Sequence, residues 1–186
     1  MTSYLVPAGY GEAEYQEKKS LFIARIWRVE DEAGALAHIN DMRREYADAT
    51  HNVYAYLIRG GIMRFSDDGE PGGTSGMPTL NVFRTQGIED VCCVVTRYFG
   101  GILLGSGGLV RAYSKAAAAA LDAAGIARME SWRETVIKCA YPLYERIRRL
   151  ADTWECADLS ADFGAEVTVT LLCREDRCDA FAAAFE

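Results

Sequence analysis

Residues 91–115 read VCCVVTRYFGGILLGSGGLVRAYSK, and the change of pattern inside that stretch sets the architecture. Val91 to Phe99 is an almost continuous apolar run, the composition of a central strand covered on one face or both. Glycines then crowd the chain, and from Leu109 the apolar positions recur at helical spacing. Leu109, Tyr113, Ala116, Ala117, Ala120 and Leu121 form one stripe, and five consecutive alanines from Ala116 favour a closely packed helix. Gly125 is placed to stop that helix.

Working outward, Ser20 to Val29 (SLFIARIWRV) has β-branched and aromatic residues near period two and reads as a strand. Asp31 can cap a following amphipathic helix that carries Leu36, Ile39, Met42 and Tyr46 on its apolar face and ends near Ala47. Asn52 to Arg59 and Ile62 to Phe65 are β-like runs joined by Gly60-Gly61, a pair whose tolerance of positive φ suits an antiparallel hairpin. DDGEPGGTSG, residues 67–76, contains proline but no other apolar side chain, so it is a solvent-facing loop. A short helix from Met77 to Gln86 follows, entered through Pro78, where the missing backbone donor costs nothing.

Beyond residue 130 a second, smaller unit follows. A strand-like Glu134 to Ala140 precedes a helix around Leu143 to Leu150. Strands follow near Cys156 to Leu159 and Glu166 to Leu172, then a helix from Asp176. This β-α-β-β-α order is that of a split β-α-β, ferredoxin-like domain that lacks its last strand. The expected organisation is therefore two α+β domains, residues 1–130 and 131–186, joined across Ile126 to Trp132.

The formal net charge of −7 is shared between the two parts, so long-range attraction to nucleic acid or anionic lipid is not expected and any polyanion contact must be local. The six cysteines form no C-x-x-C pair, and Cys92 and Cys93 lie in the apolar run, which is the pattern of buried thiols in a reducing compartment. The first residues carry Glu12, Glu14 and Glu17 rather than a basic and then apolar leader. No apolar stretch reaches the roughly 18 residues of a membrane span. A cytoplasmic protein without membrane contact is expected.

The chemistry-bearing residues concentrate in two segments. Where a strand runs through glycines into a helix, unpaired amide hydrogens and the positive helix end can hold an anion, as Gly105, Ser106, Gly107 and Gly108 would allow. Arg111 and Lys115 are four residues apart on that helix and Arg97 closes the preceding strand, so the three can frame a phosphate. Alternatively, the glycines only permit tight packing and the cations are a solvated stripe. The segment lacks the Lys-Ser/Thr pair of a Walker A loop and the G-x-G-x-x-G spacing of a dinucleotide fingerprint. In the acidic loop, Asp67, Asp68 and Glu70 either gather around a hard cation or cap neighbouring amides in an exposed turn. Gly72, Gly73 and Thr74 extend the same loop. His38 and His51 read as surface or strand-end residues, although His51 would approach the glycines if its strand were their neighbour.

DDGEPGGTSGMP followed by VVTRYFGGILLGSGGLVRAYSKA resembles the signature of the YigZ/IMPACT family. Gly76, Leu80, Ile88, Val94-Val95, Arg97, Tyr98-Phe99, Gly100-Gly101, Leu104 and Gly105 fall in its order and spacing. Thr79 and Phe83 depart from it, standing where aliphatic residues are usual. The resemblance implies a first domain like domain 2 of ribosomal protein S5 and a ferredoxin-like second domain. It further implies association with RNA or the ribosome, or control of translation through a protein partner. The function expected on this basis is noncatalytic, without a cofactor. Its binding surface joins Asp67, Asp68, Glu70, Gly72, Gly73 and Thr74 to Arg97, Tyr98, Phe99, Gly100, Gly101, Gly105, Ser106, Gly107, Gly108, Arg111 and Lys115. The alternative is a metal-dependent enzyme acting on a phosphorylated small molecule.

Overall fold

The computed structural model describes residues 3–184. In chain order the first part holds β1 (Tyr4–Pro7), β2 (Gly11–Glu17), β3 (Ser20–Arg28), α1 (Glu32–Glu45), β4 (His51–Ile58), β5 (Ile62–Ser66), α2 (Gly76–Gln86), β6 (Val91–Tyr98), α3 (Ser106–Ala124) and β7 (Ile126–Met129). The second part holds β8 (Trp132–Cys139), α4 (Tyr141–Thr153), β9 (Ala157–Phe163), β10 (Val167–Arg174) and α5 (Cys178–Ala183). The chain divides into two compact units, one spanning Tyr4–Met129 and the other beginning at Glu130.

In the first unit five antiparallel strands form a sheet in the order β2-β3-β6-β4-β5. The apolar run of β6 becomes its central strand because both faces are covered. Val91, Cys93 and Val95 pack under α2 and α3, while Cys92 and Val94 pack under α1, and all five are fully buried. Asp31 caps α1 through the Gly34 amide at 2.7 Å, and the β4–β5 turn is made by Gly60 and Gly61, both at positive φ. The alanine face of α3 lies close on β2, so close that a Cβ at Gly11 would sit 2.3 Å from the Ala120 carbonyl oxygen. Thr79 and Phe83, the two departures from the family pattern, are both buried. The Thr79 hydroxyl is satisfied by the Ser75 carbonyl at 2.9 Å.

Three strands of this unit lay outside the expectations from sequence. β2 pairs with β3, and β1 pairs with β7 in a separate two-stranded ribbon, so residues 126–129, expected as a junction, are instead strand.

In the second unit the sheet order is β8-β10-β9, antiparallel throughout. Alternate residues of β10 (Val167, Val169, Leu171, Cys173) are fully buried in a core that includes Ile147 and Ala151 of α4 and Phe181 of α5. This is the ferredoxin-like order, with no fourth strand among the described residues.

Candidate functional site

The acidic loop is organised by its own carboxylates. Ser75 precedes α2 but makes no side-chain cap. Asp67 supplies one from eight residues upstream, accepting the Gly73, Ser75 and Gly76 amides and the Ser75 hydroxyl at 2.7–3.1 Å. Partial burial alone would raise the Asp67 pKa, but these four hydrogen bonds outweigh it and hold the carboxyl below its ordinary value. Asp68 turns the other way, with its backbone at positive φ and its carboxylate on the Asn52 amide at 2.7 Å. Thr74 donates its hydroxyl to the Pro71 carbonyl at 2.6 Å.

Glu70 enters the protein. Its side chain is only 2% exposed, and its Oε1 accepts Arg97 Nη1 at 2.6 Å and the Tyr113 hydroxyl at 2.7 Å. Arg97, itself 6% exposed, lies near the rings of Phe22 and Phe99 and donates Nη2 to the Ser20 hydroxyl. Burial, then the negative charge of Glu70, pushes the Tyr113 hydroxyl far above its ordinary pKa, so it remains a donor. The three carboxylates of the loop thus face three different sets of partners. Among the described residues no group of three His, Cys, Asp or Glu side chains is placed to hold a metal ion.

His51 belongs to this cluster because of register. It lies directly opposite Arg97 across β4 and β6, which puts both on the sheet face under α3. His51 Nδ1 sits 2.7 Å from the Asp68 carbonyl, which can only accept, so Nδ1 carries the hydrogen. Nε2 lies 3.8 Å from Glu70 Oε2.

Above this polar floor opens a cavity of about 350 Å³. Pro71, Phe99, Leu103, Leu104 and Leu109 make its apolar walls, and Gly105 and Ser106 bring the start of α3 to its mouth. Gly105 is at positive φ and gives α3 no side-chain cap, and the first helical bond runs from the Leu109 amide to the Gly105 carbonyl. The amides of Ser106, Gly107 and Gly108 therefore have no acceptor within the helix. Phe99 (44% exposed), Ile102 (43%) and Leu103 (82%) present apolar side chains at and beside the rim.

Glu70, Arg97, Phe99, Gly105 and Ser106, from both segments singled out in the sequence, thus meet at one cavity. Others do not. Arg97 cannot supply charge to a polyanion, because its guanidinium is buried and neutralised by Glu70. Tyr98 points to the opposite sheet face, where its hydroxyl reaches Asp48. Lys115 lies on the ring of Tyr15 in β2, away from the cavity lining, whereas Arg111 is exposed on the next turn of α3. Gly100 serves packing, since a Cβ there would fall 2.0 Å from the Lys19 carbonyl carbon, while Gly72, Gly73 and Gly101 face open space. Tyr113, Pro71, Leu103, Leu104 and Leu109 are the residues that the sequence reading missed, whereas His51, expected near the glycines if its strand were their neighbour, is there because β4 pairs with β6.

These features define an α+β protein of two domains with a ligand-sized cavity where two loops of the first meet. Residues 18–121 match the Impact N-terminal domain family and residues 137–185 match a domain of unknown function, DUF1949. The chain belongs to the IMPACT family. It is 42% identical over 133 residues to the IMPACT family member YvyE of Bacillus subtilis, covering 70% of this chain and 61% of that relative. With the IMPACT family member YigZ of Escherichia coli it shares 34% identity over 171 residues, 90% of this chain and 84% of the relative. A crystal structure of a hypothetical protein aligns with a TM-score of 0.68 at 32% identity, covering all of this chain and 92% of that one. No helix among the described residues is long and apolar enough to cross a membrane.

Proposed function

We propose that this chain is a noncatalytic, translation-associated regulatory protein that docks an apolar segment of a protein partner in the cavity between the acidic loop and the start of α3. The translation link follows from the family resemblance. The choice of a protein over an RNA backbone is carried by one observation, that the cavity is walled by aliphatic and aromatic side chains while Arg97 is consumed internally by Glu70. A phosphodiester backbone needs exposed cations. Of the three proposed for it, only Arg111 is left near the first turn of α3 with no aromatic or acidic side chain among the described residues to occupy it. Exposed apolar side chains beside a concave site are the features of a protein-docking surface.

A photo-crosslinking amino acid at Leu103, which is 82% exposed and so tolerates replacement, tests this in cells. The proposal expects adducts with a protein of the translation apparatus that survive nuclease and disappear when Leu109→Trp fills the cavity. Adducts that are RNA, or that are unaffected by Leu109→Trp, would refute it.

A further inference from the structure

The second unit presents two sheet edges that differ in kind. On β9 the register with β10 shifts between Thr170 and Leu172, and Asp158 stands at positive φ, so that edge is bent and unsuited to accept another strand. β8 instead pairs with β10 at eight consecutive positions, from Trp132 opposite Arg174 to Cys139 opposite Val167, with no bulge. Its other side has no strand among the described residues. In a split β-α-β fold that side is where an antiparallel fourth strand runs.

Side chains on β8 identify what fits there. Glu134, Val136 and Lys138 share the sheet face opposite to α4 and α5, because their β10 partners Leu172, Thr170 and Thr168 alternate with the buried set. Val136 is 55% exposed. Neither Glu134 nor Lys138 has an ion-pair partner among the described residues. Taken singly, such charges guard an edge against pairing.

We infer that β8 is a self-association edge, whose occupant is the antiparallel β8 of a second copy of this chain. A two-fold axis perpendicular to the sheet keeps each side chain on its own face, so the axis must pass through a residue rather than between two. With the axis at Val136, Val136 meets its own copy, and Glu134 of each chain stands opposite Lys138 of the other. Moving the axis to Thr135 places Glu134 against Val136, and moving it to Ile137 places Lys138 there, so either shift loses both charge pairs. The two copies would join their three-stranded sheets into one of six strands. The open edges of both would then be covered, with cross-strand pairs of opposite charge flanking an apolar centre.

Sedimentation velocity of the full chain over rising concentration tests the inference, with circular dichroism checking that each variant keeps its fold. A reversible monomer–dimer equilibrium is expected. Glu134→Lys or Lys138→Glu alone turns both opposite-charge pairs into like-charge pairs and weakens the dimer about tenfold or more. The double variant Glu134→Lys/Lys138→Glu restores it. A single monomer boundary up to ~1 mM overturns the inference. So does a dimer that ignores both single reversals, or one that the double variant fails to restore.

Discussion

Replacing Glu70 by alanine removes the acceptor shared by two buried donors, and the structure fixes how much that should cost. Arg97 is 6% exposed and Tyr113 is fully buried, so neither the guanidinium nor the hydroxyl can turn to water without opening the cavity floor. Stranding one member of a buried ion pair costs about 3–5 kcal/mol. A typical domain is stable by only ~5–15 kcal/mol, so the variant should lose a large share of the first unit's stability. Adding Arg97→Met removes the stranded charge but keeps an apolar stem beside Phe22 and Phe99, and it should recover roughly 2 kcal/mol. Urea unfolding followed by Trp27 fluorescence reads the first unit alone once Trp132 and Trp154 of the second unit are changed to Phe. The reasoning fails if Glu70→Ala costs less than about 1 kcal/mol. It fails equally if Arg97→Met deepens the loss in the Glu70→Ala background.

Tyr113→Phe keeps the ion pair and removes one hydrogen bond to a charged acceptor, so the same assay should show a loss of ~1.5–3 kcal/mol. The depressed pKa of Asp67 gives stability that is fully present above the ordinary carboxylate value and is lost as pH falls through the lower folded value. Asp67→Ala should therefore destabilise the protein at neutral pH, flatten its stability profile below about pH 4, and open residues 67–76 to protease. A profile that stays unchanged would contradict the capping role. Gly100→Ala forces a Cβ against the Lys19 backbone and should cost about 1–3 kcal/mol through overpacking. Gly101→Ala meets open space and bears only the strain of its positive φ, so it should be the milder change by thermal denaturation. Among the cysteines, Cys92 and Cys93 are buried, and burial pushes the Cys92 thiol up to about 12. Half-buried Cys156 should accordingly react with a thiol reagent well before either of them.

What the sequence revealed depended on whether its signals were local. β6 and α3 were legible because a continuous apolar run and an alanine stripe are patterns within one segment, and Asp31 announced α1 as a cap three residues from the amide it accepts. β2 was hidden because its inward residues Gly11, Ala13 and Tyr15, alternating with Glu12, Glu14 and Gln16, include two that are small, so the alternation carries little hydrophobic contrast. β1 has four residues and is held by β7, more than a hundred positions away. The site followed the same rule. Glycines and acids marked the two loops, but only the β4–β6 register sets His51 opposite Arg97, and only the inward turn of Glu70 shows that Arg97 is occupied. Of the cations that look like one phosphate-binding set in one dimension, only Arg97 lines the cavity, neutralised by Glu70, while Lys115 lies on Tyr15 and Arg111 is exposed on the next turn of α3.

Ribosomal fractions on sucrose gradients, run at low and at raised salt, give the most direct reading of what recruits this chain. Docking through the cavity predicts comigration that persists from about 50 mM to about 200 mM salt, survives Arg111→Ala/Lys115→Ala, and is lost with Leu103→Asp. Comigration that fades with salt and with the two alanines yet survives Leu103→Asp, or no comigration at all, would contradict it.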